Sequence, residues 1–149
     1  MHNNAAYDES FYGAMVLITN SYYSAEGSRC ENLYDLEEKL AISILKELNS
    51  LGISVSDFCP MSSDYGVACP FGLLRRVCDE DTYPNGEKCD WYGIVRGSIK
   101  NGLPGILIEH AYLNNPDDYY NFLSSDEKLK NLALADARGI ANYYGFEKE

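Results

Sequence analysis

Glu109 has the setting best suited to chemistry. It closes a short apolar run from Pro104 to Ile108, and a carboxylate ending a buried strand stands where α/β enzymes place reacting groups. Such a group can take a proton from water and return it to a leaving group. Taken by itself, a glutamate there is more often a surface residue or half of a structural ion pair. Of the two histidines, His110 follows Glu109 directly. Neighbouring strand residues point to opposite faces, so Glu109 and His110 are not expected to share a site. His2 falls in a terminal segment expected to be mobile. The five cysteines, Cys30, Cys59, Cys69, Cys78 and Cys89, form no CxxC pair, so a metal site would have to be improvised. They read as buried or free thiols; the alternative is a Cys78–Cys89 bridge across a hairpin, which would suit an exported protein.

These residues need elements to position them. Ala14 to Thr19 is an aliphatic run of strand length. From Asn32 the period changes: Leu33, Leu36, Leu40, Ile44, Leu48 and Leu51 recur every three or four residues, while Glu37, Glu38 and Lys39 take other faces. This predicts an amphipathic helix capped by Asn32 and ended by Gly52. An irregular stretch rich in Cys, Pro, Gly and Asp spans 53–89, with a strand expected from Leu73 to Val77 and a turn at Tyr83-Pro84-Asn85-Gly86. A short helix is expected over Trp91 to Lys100, with a strand as the alternative because of Ile94 and Val95, and a turn at Asn114 to Asp118, leading into a helical turn over Tyr119 to Leu123. Ser124 and Glu127 match a capping box for a last helix with Leu129, Leu132, Ala133, Ala137, Ile140 and Tyr144 on its buried face, stopped by Gly145. Strands alternating with helices predict an α/β layered sheet with flanking helices.

At 149 residues the chain is expected to form one domain with a sizeable core. It is 46% hydrophobic and carries a net charge of -11, which argues against a nucleic-acid partner and an anionic membrane surface. No run reaches the roughly 20 apolar residues of a membrane helix, so membrane insertion is not expected. No signal peptide is visible after Met1.

One stretch is more specific. From Asp90 to Gly145 the sequence resembles the amidase-3 family of N-acetylmuramoyl-L-alanine amidases, which are zinc-dependent peptidoglycan hydrolases. The family shows a proline, an apolar strand, a glutamate and an asparagine-proline-aspartate turn. Here these are Pro104-Gly105-Ile106-Leu107-Ile108-Glu109-His110-Ala111-Tyr112-Leu113-Asn114-Asn115-Pro116-Asp117-Asp118. Tyr92-Gly93-Ile94-Val95-Arg96 upstream and Ala135-Asp136-Ala137, Gly139-Ile140-Ala141 and Tyr143-Tyr144-Gly145 downstream also correspond. A weaker correspondence lies upstream, where the family has a strand ending in serine, an apolar residue, histidine, one residue and asparagine. Val16-Leu17-Ile18-Thr19-Asn20 falls in that register, with Ile18 at the histidine and Asn20 at the asparagine.

The resemblance implies a zinc-assisted cleavage of the amide between N-acetylmuramic acid and L-alanine, with Glu109 as catalytic acid–base. It implies that Glu109 faces a cleft shared with residues 18 and 20, and that Asn20 and Arg96 are candidates to touch the glycan or stem peptide. Surface tyrosines are mostly expected to pack, with some able to stack on sugars. In this register one zinc ligand is replaced by Ile18 and the family's other two fall before the first residue. The chain alone is therefore expected not to bind zinc, and the domain to lack its first strand, metal loop and first helix. A homodimer, or packing of the 53–89 insertion over the gap, would cover the exposed edge. The family acts at the extracellular cell wall. Alternatives are a non-catalytic peptidoglycan-binding or amidase-regulating protein, or an unrelated α/β interaction domain.

Overall fold

The computed structural model describes residues 2–28, 32–55, 67–69 and 72–146. In chain order the elements are β1 (His2–Asn4), β2 (Met15–Ile18), α1 (Leu33–Ser50), β3 (Val67–Cys69), β4 (Leu73–Arg75), β5 (Val77–Thr82), β6 (Lys88–Asp90), α2 (Gly93–Lys100), β7 (Leu107–Tyr112), α3 (Pro116–Asp118), a π-helical turn (Tyr119–Leu123) and α4 (Asp126–Tyr144). Cys30 and Cys59 lie outside the described residues.

A mixed five-stranded sheet forms the centre, in the order β1-β7-β2-β4-β3, with a separate β5–β6 hairpin. β2 is buried on both faces, which is why it reads as an unbroken aliphatic run. Val16, Ile18 and Leu73 point to one face, where Ile44, Leu45 and Leu48 of α1 and Leu132 and Ala135 of α4 cover them. Met15, Leu17, Leu74 and Tyr112 point to the other, against Phe11, Ala6 and Tyr92.

The caps of α1 follow the sequence. The Asn32 side chain accepts the Asp35 N–H, and Gly52 takes φ 92 just past the end. Glu37, expected on an outer face, is instead fully buried. The turn expected at Tyr83 to Gly86 closes the hairpin through a Gly86 N–H to Tyr83 carbonyl bond of 2.9 Å. Cys78 and Cys89 are cross-strand partners in that hairpin, and both are buried free thiols, not a bridge.

Three expectations need correction. The strand does not stop at Glu109 but runs on to Tyr112. The cap of α4 is Ser125, one residue later than expected; its side chain accepts the Lys128 N–H. The packed face of α4 is also rotated. Leu132, Ala135 and Gly139 are buried, whereas Ile140 and Tyr144 are 40% and 49% exposed. The cause is close packing of α4 on α1: a Cβ at Gly139 would come within 2.5 Å of the Ile44 Cα, so small residues occupy the seam.

Candidate functional site

Glu109 sits in the middle of β7, with β1 on one side and β2 on the other. Its register partners are His2 and Met15. The residue is only 6% exposed, and its Oε2 lies 2.7 Å from His2 Nδ1. The His2 side chain is 61% exposed, so the pair joins a nearly buried carboxylate to an imidazole open to solvent. The Nδ1 edge of His2 faces the carboxylate as a donor would, and Nε2 turns away from Glu109.

The backbone around this pair is irregular. His2 pairs with Glu109 and Asn4 with Tyr112, so two steps on β1 match three on β7. The extra residue in β7 sets Glu109 and Tyr112 towards one face although they are three apart, and bulges of this kind often re-aim side chains at sites. Further anchoring comes from Asp118, which is buried. Its Oδ2 accepts the Gly13 and Tyr112 N–H groups, each at 2.8 Å, while Asn115 caps the turn by accepting the Asp118 N–H.

His110 turns to the opposite face, as strand alternation requires. Its Nδ1 is 2.9 Å from the His2 carbonyl and its Nε2 2.8 Å from Asp136 Oδ2. Both partners are acceptors, so each ring nitrogen is placed to donate. Burial alone would lower the His110 pKa, but the bonds to Asp136 and the His2 carbonyl outweigh it and the net shift is upward.

Among the described residues, positions 18 and 20 do not come to Glu109 as expected. Ile18 is three residues along β2 from Met15, about 10 Å at strand rise, and it points into the core under α1 and α4. Asn20 is held at the far end of β2, where its N–H and its side-chain amide both donate to Asp90 Oδ1 at 2.7 Å. The same Asp90 carboxylate accepts from Thr19 and Tyr83. Arg96 is half-buried on α2, whose Val95 and Ile99 pack with Cys78, Tyr83 and Cys89. Among the described residues, no hydrogen bond or ion pair brings Asn20 or Arg96 to Glu109.

His2 was not to be expected there from a mobile terminus; it is a strand residue paired to the central acid. Enclosure of Glu109 in an ion pair would, for a glutamate considered alone, speak for a structural role. Two observations weigh the other way: the partner is a solvent-facing imidazole, and the His-x-Asn spacing placed at 18–20 is met by His2-Asn3-Asn4 on the strand beside Glu109. That spacing was the available signal.

A hydrolytic zinc takes three protein ligands and a water. His2 Nε2 is one donor of the right kind, on a ring held by a carboxylate through its other nitrogen. Among the described residues no group of three His, Cys, Asp or Glu side chains could hold a metal ion. The described residues therefore do not by themselves fit a zinc centre.

The sheet order, the two helices on one face and the acid on β7, between the edge strand and the central β2, match a fold of the N-acetylmuramyl-L-alanine amidase type. Ami1 from Mycobacterium smegmatis superposes with a TM-score of 0.63 at 19% identity, over 97% of this chain and 52% of that one. Ami1 from Mycobacterium abscessus gives 0.60 at 15%, over 95% and 51%. The CwlD amidase from Clostridioides difficile, solved in complex with the GerS lipoprotein, gives 0.58 at 17%, over 98% and 53%. The chain thus spans about half the length of these amidases. No family model and no curated protein matches the sequence.

Proposed function

We propose that this chain serves an N-acetylmuramoyl-L-alanine amidase activity on cell-wall peptidoglycan, cleaving the amide between N-acetylmuramic acid and L-alanine. The observation that carries this reading is the Glu109–His2 pair on adjacent strands of an amidase-type sheet, with a 2.7 Å bond between a shielded carboxylate and an exposed imidazole. Glu109 acts as the acid–base: it takes a proton from the attacking water and delivers it to the departing L-alanine nitrogen. His2 orients that carboxylate through Nδ1.

Zinc is the metal that the amidase fold suggests. Any zinc site would need ligands besides His2, so Glu109 and His2 are given only the steps their own atoms perform. Asn20 is engaged by Asp90 and Arg96 lies with the hairpin, so a substrate contact from either would be to outlying sugar or peptide, away from the scissile bond. Action at the wall accords with a net charge of -11, because a glycan and short-peptide polymer needs no basic surface.

The test is incubation of the purified chain with purified peptidoglycan and added zinc, following release of new L-alanine amino groups. Release that disappears in Glu109→Gln supports the reading. Wall binding without release would instead favour a non-catalytic peptidoglycan-binding protein, and neither binding nor release would overturn both.

A further inference from the structure

Glu109 is buried and braced on both sides, whereas His2 belongs to a three-residue edge strand and is mostly exposed. An edge strand this short has few ladder bonds, and an exposed imidazole on it would ordinarily sample several rotamers. Something must hold β1 in register for the pair to persist. The ladder itself is irregular at this point, because the bulge lies between the His2 and Asn4 pairings.

The brace comes from beneath the sheet. His110 is 1% exposed, and its Nδ1–H donates to the main-chain carbonyl of His2 itself. Its Nε2–H donates to Asp136, which projects from α4. Among the described residues the other oxygen of that carboxylate, Asp136 Oδ1, is buried without a hydrogen-bond partner, and Oδ2 is the oxygen bonded to His110. A donor held at 2.9 Å from a carbonyl on one side and anchored at 2.8 Å to a carboxylate on the other has its ring direction fixed. The arrangement is continuous: Asp136 on a helix, His110 under the sheet, the His2 backbone, the His2 ring, and Glu109.

We propose that His110 and Asp136 are positioning residues that fix the His2 backbone, and through it the His2 ring, against Glu109. His110 touches neither substrate nor the reacting carboxylate; it acts only through His2. The assignment rests on the amidase reading in taking Glu109 as the working acid–base, but the geometry it describes is measurable without substrate. A residue filling space in the core would need only volume at position 110. A positioning residue needs a donor aimed at one carbonyl.

The chain has only two histidines, so any substitution of His110 leaves His2 as the sole imidazole in the spectrum. Nitrogen NMR of the histidine ring at about pH 8.5, where an untethered imidazole is neutral, reads which nitrogen carries the proton. In the native protein His2 is expected as the Nδ1–H tautomer because of Glu109. His110→Asn places an amide donor near the former Nδ1 and is expected to keep that tautomer. His110→Gln places its amide near the former Nε2, and His110→Phe has no donor; both are expected to release His2 to the Nε2–H form that free histidine prefers.

The same His2 tautomer in all folded variants, or equal loss in His110→Asn and His110→Gln, would overturn the proposal. If no variant folds, a through-bond coupling between His110 Nδ1 and the His2 carbonyl carbon in the unaltered protein supports it, and the absence of that coupling overturns it. A failed hydrolase assay does not alter the tautomer result, and a negative tautomer result does not bear on hydrolysis, so the two readings fail separately.

Discussion

Glu37 and Thr19 meet inside the protein: the carboxylate Oε2 of a fully buried helix residue accepts the strand-end N–H at 2.8 Å. Its other oxygen accepts the Gly105 N–H at 2.8 Å, so one side chain ties α1 to the end of β2 and to the segment leading into β7. Burial pushes the Glu37 pKa up from 4.5 to about 7; the two N–H bonds and Arg75 oppose this, and Asp90 adds to it. A carboxyl group whose folded pKa is raised contributes most below its unfolded pKa, and that contribution is lost as pH rises through the folded value. Stability is therefore expected to fall between pH 4.5 and about 7, by roughly 3 kcal/mol from this group. Urea denaturation across that range checks it. Glu37→Gln should flatten the dependence, and an unchanged slope would assign it to other groups.

Glu109→Gln keeps the shape of the side chain and removes its basicity. Hydrolysis of purified walls is expected to drop by about 10²- to 10⁴-fold, the usual worth of a general acid–base. The unfolding midpoint should move little, because an amide oxygen can still accept from His2 Nδ1. A large loss of stability with activity retained per folded molecule would make Glu109 structural.

Gly139 faces Ile44 across the α1–α4 seam, and an added Cβ would lie 2.5 Å from the Ile44 Cα. Alanine gains about 1 kcal/mol in helix propensity, but overpacking a fixed seam costs about 1–3 kcal/mol. The clash is backbone against side chain and cannot be relieved by a rotamer. Gly139→Ala is expected to be less stable in denaturant titration; a more stable variant would show that the helices separate easily.

Asp118→Ala removes the acceptor of two buried N–H groups, Gly13 and Tyr112. Each orphaned donor costs about 1–3 kcal/mol, so this variant should unfold well before the native protein. Faster amide exchange at Gly13 and Tyr112, compared with the rest of β7, would locate the effect. Uniform exchange would mean that water replaces the carboxylate.

The elements legible in the sequence were those with local causes. β2 announces itself by four consecutive buried aliphatics, and α1 by its stripe and its Asn32 and Gly52 ends. β1 is different: His2-Asn3-Asn4 has no apolar period, and it becomes a strand only because β7 lies beside it. The site was half visible for the same reason. Glu109 stands out at the end of an apolar run, but its partner is 107 residues away, and the Val16–Asn20 register sets the histidine position on a β2 residue that faces the core. Glu37 hid because its partners are main-chain N–H groups, which no side-chain pattern reveals. The face of α4 was misread because its seam uses Ala135 and Gly139, residues that carry no hydrophobic signal, while Ile140 and Tyr144 do.

The bond between His2 and Glu109 joins the first described residue to one 107 positions later. Contacts so distant along the chain form late, after the intervening segments have collapsed. A molecule not yet completed would hold the imidazole without the acid, and one clipped ahead of Asn3 would hold the acid without its imidazole companion. Formation of the pair is thus tied to completion of the sheet.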